Sequence, residues 1–255
     1  MEPREAVQRI EATPSLREGD SDRFAGYTLI GLPFRSGHIL ALRRFPASSL
    51  GPGYTSIWHR DPSGKWTFYS TVAPGQSCSR YFGSQVEENV HAQVRIEWVG
   101  PNTFRVIADC SRPLSWEVTL TKTVATRLMN AAARLAPDSW WQKRFMLRVM
   151  GFTARFMLGT GKMNLTGRTP NGQEFMANPQ QVWLVKSSRA EVNGVDVGPA
   201  GALPAQARLN EFLIPQRGVF AVGRAFLEKT DNLVLTSQAG QRAAGQQTRS
   251  ACGAG

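Results

Sequence analysis

The chain has 255 residues, of which 42% are hydrophobic, and it carries a formal net charge of +11. This hydrophobic share excludes a wholly disordered chain, and the absence of an apolar run of about 18 residues excludes a predicted membrane-spanning helix. The charge would suit a nucleic-acid-binding protein. The excess, however, lies between Lys122 and Lys162, where Asp138 is the only acid. The strands elsewhere lack the interleaved basic and aromatic residues of RNA-binding sheets, so we expect no nucleic-acid partner.

The amino-terminal segment and the cysteines indicate where the protein works. Residues 1–24 are polar, show no sustained periodicity and contain no apolar segment of the secretory type, which predicts a disordered arm and no signal peptide. Cys78, Cys110 and Cys252 form an odd and widely spaced set, which indicates reduced thiols. We therefore expect a cytoplasmic protein.

The first strong pattern is a hairpin at residues 54–72. Polar and apolar residues alternate on both sides of the turn Asp61-Pro62-Ser63-Gly64, which places Asp, Pro and Gly where a type I turn accepts them. The run at 37–44 predicts a strand before it. Because the hairpin holds two Trp, two Tyr, a Phe and one of three histidines, we expect a concave site to include part of it.

Three further strands follow at 92–98, 104–110 and 114–120, each with its own two-residue alternation. They predict an antiparallel meander with one solvated face. The polar face carries the carboxylates Glu97, Asp109 and Glu117. Their expected role is therefore solvated surface.

From about residue 123 to 158 the period changes from two to about 3.6, which predicts an inserted pair of helices. The apolar face of the first helix contains Val124, Leu128, Ala131 and Leu135. The second helix carries a stripe of arginines, Arg144, Arg148 and Arg155, beside a wide apolar face. We expect a lid or plug over one end of a barrel. The arginines have three possible roles: solvated edge, contact with an anionic membrane surface, or binding of an anionic ligand headgroup.

The sheet pattern resumes with predicted strands at 162–168, 173–178, 181–192 and 218–226. The third of these runs into Asn193-Gly194, a strong hairpin signal. About nine to eleven strands separated by short turns predict one antiparallel β-barrel domain at 25–228 with a single helical insertion. The remainder, 229–255, is poor in apolar residues and predicts a disordered tail.

Two segments carry a resemblance to a known group of proteins. They are SIWHRDPSGKWTFYS and TGRTPNGQEFMANPQQVWLVKSSRAEVNGVDVG. In hairpin rhythm and turn residues they resemble bacterial lipocalin-like (calycin-type) barrels, the group that includes carotenoid hydratases of the hydroxyneurosporene synthase type. The resemblance implies a calycin-type barrel around an apolar or isoprenoid-like ligand. It aligns no catalytic motif, so no active-site residue is transferred from the family.

Familiar catalytic and cofactor motifs are missing. Gly159-Thr160-Gly161 follows a helix and lacks the third glycine of a dinucleotide loop, and no P-loop is complete. Residues 75–79 lack the closing glycine of a nucleophile elbow. The histidines have no metal-ligand spacing. We therefore expect neither a metal nor a cofactor.

The remaining candidates for ligand binding lie mostly in or near the hairpin. They are Trp58, His59, Tyr69, Arg80, Tyr81 and Trp183. Each also has a structural interpretation, since a lone strand histidine is often a hydrogen-bonded structural group, a loop arginine is often solvated, and large aromatic residues fill barrels.

The sequence thus predicts a β-barrel protein that binds a small hydrophobic molecule of isoprenoid or polyketide type. The alternative is a cofactor-independent hydratase, isomerase or cyclase in the same cavity. A buried ionisable pair at the base of the cavity would favour the enzyme. A third hypothesis is peripheral membrane association through the arginine-bearing helix.

Overall fold

A computed structural model describes residues 1–135 and 144–228, and the fold is mainly β. The strands are β1 Asp22–Pro33, β2 Ile39–Ser48, β3 Tyr54–Arg60, β4 Trp66–Ser70, β5 Glu88–His91, β6 Gln93–Trp98, β7 Thr103–Asp109, β8 Leu114–Thr121, β9 Thr166–Arg168, β10 Glu174–Val192, β11 Val195–Asp196, β12 Arg208–Leu209, β13 Phe212–Leu213 and β14 Val219–Leu227. The helices are α1 Pro3–Ala12, α2 Ser79–Phe82, α3 Val124–Leu135 and α4 Arg144–Leu158. The predicted disordered tail at 229–255 lies outside the described residues.

One large sheet of twelve strands curls into a nearly closed barrel. Its main path runs β5-β4-β3-β2-β1-β14-β10-β8-β7-β6, with β9 and β11 paired to β10. The two ends of this path, β5 and β6, are separated in the chain by the single residue Ala92, which is buried. This short connection brings the edges of the sheet close together.

The expectation of a purely antiparallel sheet is wrong at one place, because β4 and β5 pair in parallel. Between them the chain passes through two 3₁₀ turns and α2. A crossover of this length returns the chain to the same end of the sheet, so β5 runs in the direction of β4. The other strand pairs of the barrel are antiparallel.

Side chains from the inner faces of the strands fill the barrel. Its large, fully buried members include Trp116, Trp183, Phe104 and Phe220. The ring centroid of Phe220 lies 5.5 Å from that of Phe104 and 6.0 Å from that of Trp183. These contacts form the kind of aromatic packing that stabilises a small barrel from within.

The helices predicted at about 123–158 occur as α3 and α4, but they do not cover an end of the barrel. Both contact the outer face of β10, where Val182 and Leu184 are buried against them. Asn130 of α3 fixes this arrangement, since its side chain accepts a hydrogen bond from Val182 N at 2.8 Å and donates one to Val182 O at 3.0 Å. Among the described residues, no helix is long and apolar enough to cross a membrane.

Helix α1 differs from the expectation of a disordered arm over residues 1–24. Pro3 lies in its first turn, where a missing N–H costs nothing, and Glu5 Oε2 accepts a hydrogen bond from Glu2 N at 3.0 Å. Ala6 and Val7 are buried in the interior cluster. The helix therefore covers part of the barrel interior.

Candidate ligand-binding site

A cavity of about 120 Å³ lies on the outer face of the sheet, where β1, β2, β10 and β14 meet. It is covered by Cys78 and Phe82 from the α2 region, by residues of the segment 163–169, and by Phe212 of β13. Most of its wall is apolar, as in typical sites for small molecules. We call it the Arg43 cavity, after the buried arginine in its wall; a second arginine, Arg224, lines it at a half-buried position.

Two glycines make room for the Arg43 cavity. Gly26 of β1 and Gly223 of β14 are cross-strand partners, and both line the cavity. A Cβ on Gly26 would lie 2.0 Å from the carbonyl oxygen of Arg44, and one on Gly223 would lie 2.1 Å from that of Asn178. The register shifts beside each of them, as in a β-bulge. Only glycine permits this close approach of backbones.

Arg43 is held by a further irregularity in β1. Leu29 pairs with Leu42 but Leu32 pairs with Leu40, so an extra residue interrupts the ladder between them. The Arg43 guanidinium donates from Nη1 to Leu29 O at 2.8 Å and from Nη2 to Ile30 O at 3.1 Å. It also donates to Thr28 Oγ1 and Leu42 O. These bonds fix the guanidinium at the edge of the cavity.

The positive charge of Arg43 is buried without a carboxylate partner among the described residues. Its nearest aromatic neighbour is Trp58, whose ring centroid lies 4.3 Å from the guanidinium carbon. Burial lowers the pKa of Arg43 to about 10, with a small opposing effect from Cys78 and Tyr54. The group stays cationic at neutral pH. A buried cation without a counter-ion is costly.

Two further polar atoms in the wall make no hydrogen bond with any residue that the structure describes. They are the indole Nε1 of Trp58 and the side-chain oxygen Oδ1 of Asn178, both buried. Trp58 is held in place by a parallel stack on Phe68, with centroids 4.4 Å apart. The cavity thus presents a cation, a free donor and a free acceptor in an apolar wall, which would be satisfied by a polar group on a bound molecule.

Two other ionisable groups near the cavity, the Tyr54 phenol and the Cys78 thiol, stay neutral at pH 7. Tyr54 Oη and Cys78 Sγ lie 3.0 Å apart, and burial raises the pKa of both. The described wall contains no carboxylate, imidazole or amine. No group of three metal-ligating side chains comes together in the part of the chain that the structure describes.

Of the six residues proposed from the sequence, Trp58 lines the Arg43 cavity. Tyr69 and Trp183 belong to the interior cluster on the opposite face of the sheet. Arg80 is exposed on α2, and Tyr81 beside it is buried, donating a hydrogen bond to Asp22 Oδ2 at 2.7 Å. His59 also lies on the inner side of β3, where its Nε2 is 2.9 Å from Nδ1 of His38.

Sequence reasoning missed Arg43, Asn178 and the glycine pair. A signal for Arg43 was present, because the run HILALRR is apolar at both odd and even positions. Such a run is typical of a strand buried on both faces, which places an arginine at its end inside the protein. Asn178 and the glycines had no comparable signal, since their roles depend on bulges.

Comparisons with known proteins do not identify a family. No family model and no curated protein matches the chain. One similar solved structure is the acetoacetate decarboxylase of Legionella pneumophila subsp. pneumophila str. Philadelphia 1, with 9% sequence identity, a TM-score of 0.37, and coverage of 85% of this chain and 90% of that chain. The expected resemblance to carotenoid hydratases finds no support in these comparisons. A likeness at this level does not assign the chain to a family.

Proposed function

We propose that the protein binds a small apolar molecule with an anionic group, such as a carboxylate, in the Arg43 cavity. The observation that carries this proposal is the buried Arg43 guanidinium without an acidic partner among the described residues. A ligand carboxylate would supply the missing charge, and charge-assisted hydrogen bonds to arginine are among the strong ones. The unpartnered Trp58 N–H is a second donor for the same group.

A purely structural role explains only part of this arrangement. The hydrogen bonds of Arg43 satisfy backbone carbonyls at the β1 irregularity, which a buried strand requires. They do not neutralise the charge, however, because all four acceptors are uncharged oxygens. A neutral donor such as glutamine would serve the backbone at lower desolvation cost. The retained charge therefore supports an anionic ligand.

The size of the Arg43 cavity limits the ligand. Its volume of about 120 Å³ is well below the range of roughly 300 to 1,000 Å³ that is typical for drug-sized ligands. We therefore propose a compact carboxylate in place of the long isoprenoid chain expected from the sequence. Branched aliphatic and single-ring aromatic acids have suitable dimensions.

Binding is favoured over the hydratase, isomerase or cyclase alternative. Such reactions move protons, and general acid and base groups work best when their pKa lies near the operating pH. Apart from two arginines, Arg43 and Arg224, the described wall offers the Cys78 thiol and the Tyr27 phenol, and burial raises the pKa of both. Neither is suited to that role at neutral pH.

Calorimetric titration with benzoate and butyrate tests the proposal, with benzamide as the uncharged analogue of benzoate. We expect benzoate to bind at least about tenfold more tightly than benzamide, because a hydrogen bond to a charged group is worth roughly 1.5 to 3 kcal/mol. Arg43→Gln should abolish this preference. Arg44→Gln is the matched control, because Arg44 lies outside the cavity, with its Nη2 2.8 Å from Glu11 Oε2. This variant should keep the preference for benzoate over benzamide.

A second variant keeps the test decisive if Arg43→Gln does not fold. Ala225 of β14 lines the cavity, and it is not one of the residues that accept the described hydrogen bonds of Arg43. Ala225→Leu should fill the space and lower benzoate affinity while the protein melts as a folded domain. Equal affinity for benzoate and benzamide, or undiminished benzoate binding by both variants, would contradict the proposal.

A further inference from the structure

The outer surface of the helical pair is strongly apolar. Six of its large apolar side chains are between 58% and 85% exposed. They are Val124, Leu128 and Leu135 of α3 and Phe145, Phe152 and Phe156 of α4. Outside these helices, the exposed large apolar side chains among the described residues are Val99, at 55%, and Val195, at 66%. Concentrated exposure of this kind marks an interaction surface.

These side chains point away from the sheet. At 3.6 residues per turn, Phe145, Phe152 and Phe156 fall on one narrow stripe of α4. The buried residues Leu147 and Leu158 fall roughly half a turn away, on the side that contacts the sheet. The same spacing holds in α3, where the exposed Val124, Leu128 and Leu135 lie on the single apolar face that the sequence predicts. The two apolar stripes are therefore not part of the core that packs against the sheet.

Arginines accompany the apolar stripes in both helices. An exposed arginine stands directly before an exposed apolar residue at Arg127-Leu128, Arg134-Leu135 and Arg155-Phe156. Arg148 extends the row in α4, and neither helix contains an acidic residue. Because successive positions are about 100° apart, the arginines form a row along one flank of each stripe. The guanidinium carbon of Arg155 lies 5.4 Å from the Phe156 ring centroid.

Next to α4 the row of arginines borders an open groove of about 570 Å³. Arg148, Arg155 and Lys162 line the helix side of this groove. In its far wall, Glu211 accepts a hydrogen bond from the backbone N–H of Arg168 at 2.8 Å, and Glu174 lies 3.7 Å from Arg168 Nε. The described lining thus holds four basic side chains, those of Arg148, Arg155, Lys162 and Arg168, against two acidic ones.

We propose that the surface formed by α3 and α4 docks on an anionic lipid bilayer. The exposed Leu and Phe side chains would enter the headgroup boundary, and the flanking arginines would contact lipid phosphates and carboxylates. An apolar stripe with a basic flank and no acids is the pattern of helices that lie in a membrane interface. Long arginine side chains suit this position, because the stem lies along apolar surface and the charge stays at the headgroups.

Flotation of the full chain with lipid vesicles tests this proposal. The vesicles contain phosphatidylcholine alone or with about 30% phosphatidylserine, and the salt concentration is about 0.1 M or about 0.5 M. We expect flotation with the phosphatidylserine vesicles at low salt. The bound fraction should fall several-fold at high salt and on phosphatidylcholine alone.

Paired variants separate the apolar and the charge contributions. Phe152→Ser/Phe156→Ser and Arg148→Glu/Arg155→Glu should each lower vesicle affinity at least about tenfold. The matched charge control is Lys65→Glu/Arg95→Glu, whose residues lie in exposed ion pairs of β6 and the β3–β4 turn. Val99→Ser/Val195→Ser is the matched apolar control. Both controls should bind as the parent does.

Several results would overturn the proposal. One is absence of flotation at low salt, and another is undiminished flotation of both paired variants. A third is a concentration-dependent dimer in sedimentation that Phe152→Ser/Phe156→Ser abolishes, because it would show that a second copy of the chain covers the surface. Circular dichroism checks that each variant is folded. We expect each of them to fold, because the substituted side chains are exposed. Benzoate titration is lipid-free, so the two proposals fail independently.

Discussion

Two stacked histidines, the buried His59 of β3 and the half-buried His38 beside it, favour their neutral forms. The rings of His38 and His59 lie 5.2 Å apart at 14°, and a hydrogen bond joins them. The pKa of His59 is lowered to about 4, mainly by burial and also by the charges of His38 and Arg112, while Asp61 opposes these effects. Burial also lowers the pKa of His38. At neutral pH one ring therefore donates to the other.

This pair predicts a specific loss of stability in acid. An unfolded histidine binds its proton near pH 6.5, whereas folded His59 resists protonation until about pH 4. The free energy of unfolding should therefore be highest above pH 6.5 and fall as the pH drops from there towards 4. Over that window the His59 contribution is roughly 3 kcal/mol. Urea unfolding at several pH values measures it.

Two histidine variants test this assignment, one at the buried His59 and a control at the exposed His91. His59→Gln should remove the part of the acid sensitivity that arises between pH 6.5 and 4. His91→Gln, at an exposed position of β5, should keep the parent dependence. Parallel pH curves for the parent and His59→Gln would contradict the assignment.

At the scale of single elements, local pattern was a reliable guide where it was strong. The hairpin at 54–72 occurs as β3 and β4, and its turn is closed by a hydrogen bond from Gly64 N to Asp61 O at 3.0 Å. The change of period near residue 123 occurs as α3 and α4. These elements were predictable because their own sequence fixes their geometry.

Other elements carried too little local information. Helix α1 has only Pro3, Ala6, Val7 and Ile10 on its apolar face, among charged residues. Strand β5 is four residues long with alternating exposure, and nothing in it specifies a parallel partner. The bulges in β1 and β10 depend on their neighbours in the sheet, so the site they form could not be predicted from either strand alone.

The glycine pair beside the cavity gives an element-scale prediction. Gly223→Ala should lower the free energy of unfolding by about 3 kcal/mol or more, because the added Cβ would overlap the Asn178 carbonyl and shift the β10 bulge. In an ordinary strand position the same change is neutral or favourable. Gly100→Ala is the matched control, since a Cβ there meets nothing within 4 Å. Chemical denaturation compares the two, and equal midpoints would refute the role assigned to Gly223.

At the scale of the whole molecule, α1 closes off part of the barrel interior. Arg44 joins it to β2 through two hydrogen bonds to Glu11 at 2.8 and 2.9 Å, and Tyr27 donates to the same carboxylate. Helix and barrel should therefore unfold together.

This linkage predicts that a change in α1 destabilises the entire domain. Val7→Asp should lower the melting temperature and the free energy of unfolding by at least about 2 kcal/mol, because it removes a buried apolar side chain and buries a charge. Gln8→Asp, one position along on the exposed side, should have little effect. Intrinsic tryptophan fluorescence follows the barrel during thermal unfolding. If both variants melt together with the parent, α1 is not part of the cooperative unit.

The filled interior and the Arg43 cavity use opposite faces of the same strands. On β2, Leu40 and Leu42 face the interior, and Ala41 and Arg43 face outward. Neighbouring positions of this strand therefore have separate roles, because the residues of one parity pack the barrel interior while the other parity presents Arg43 to the cavity. Under the proposed function, a substitution at Arg43 would change which ligands the protein binds and leave the interior cluster untouched.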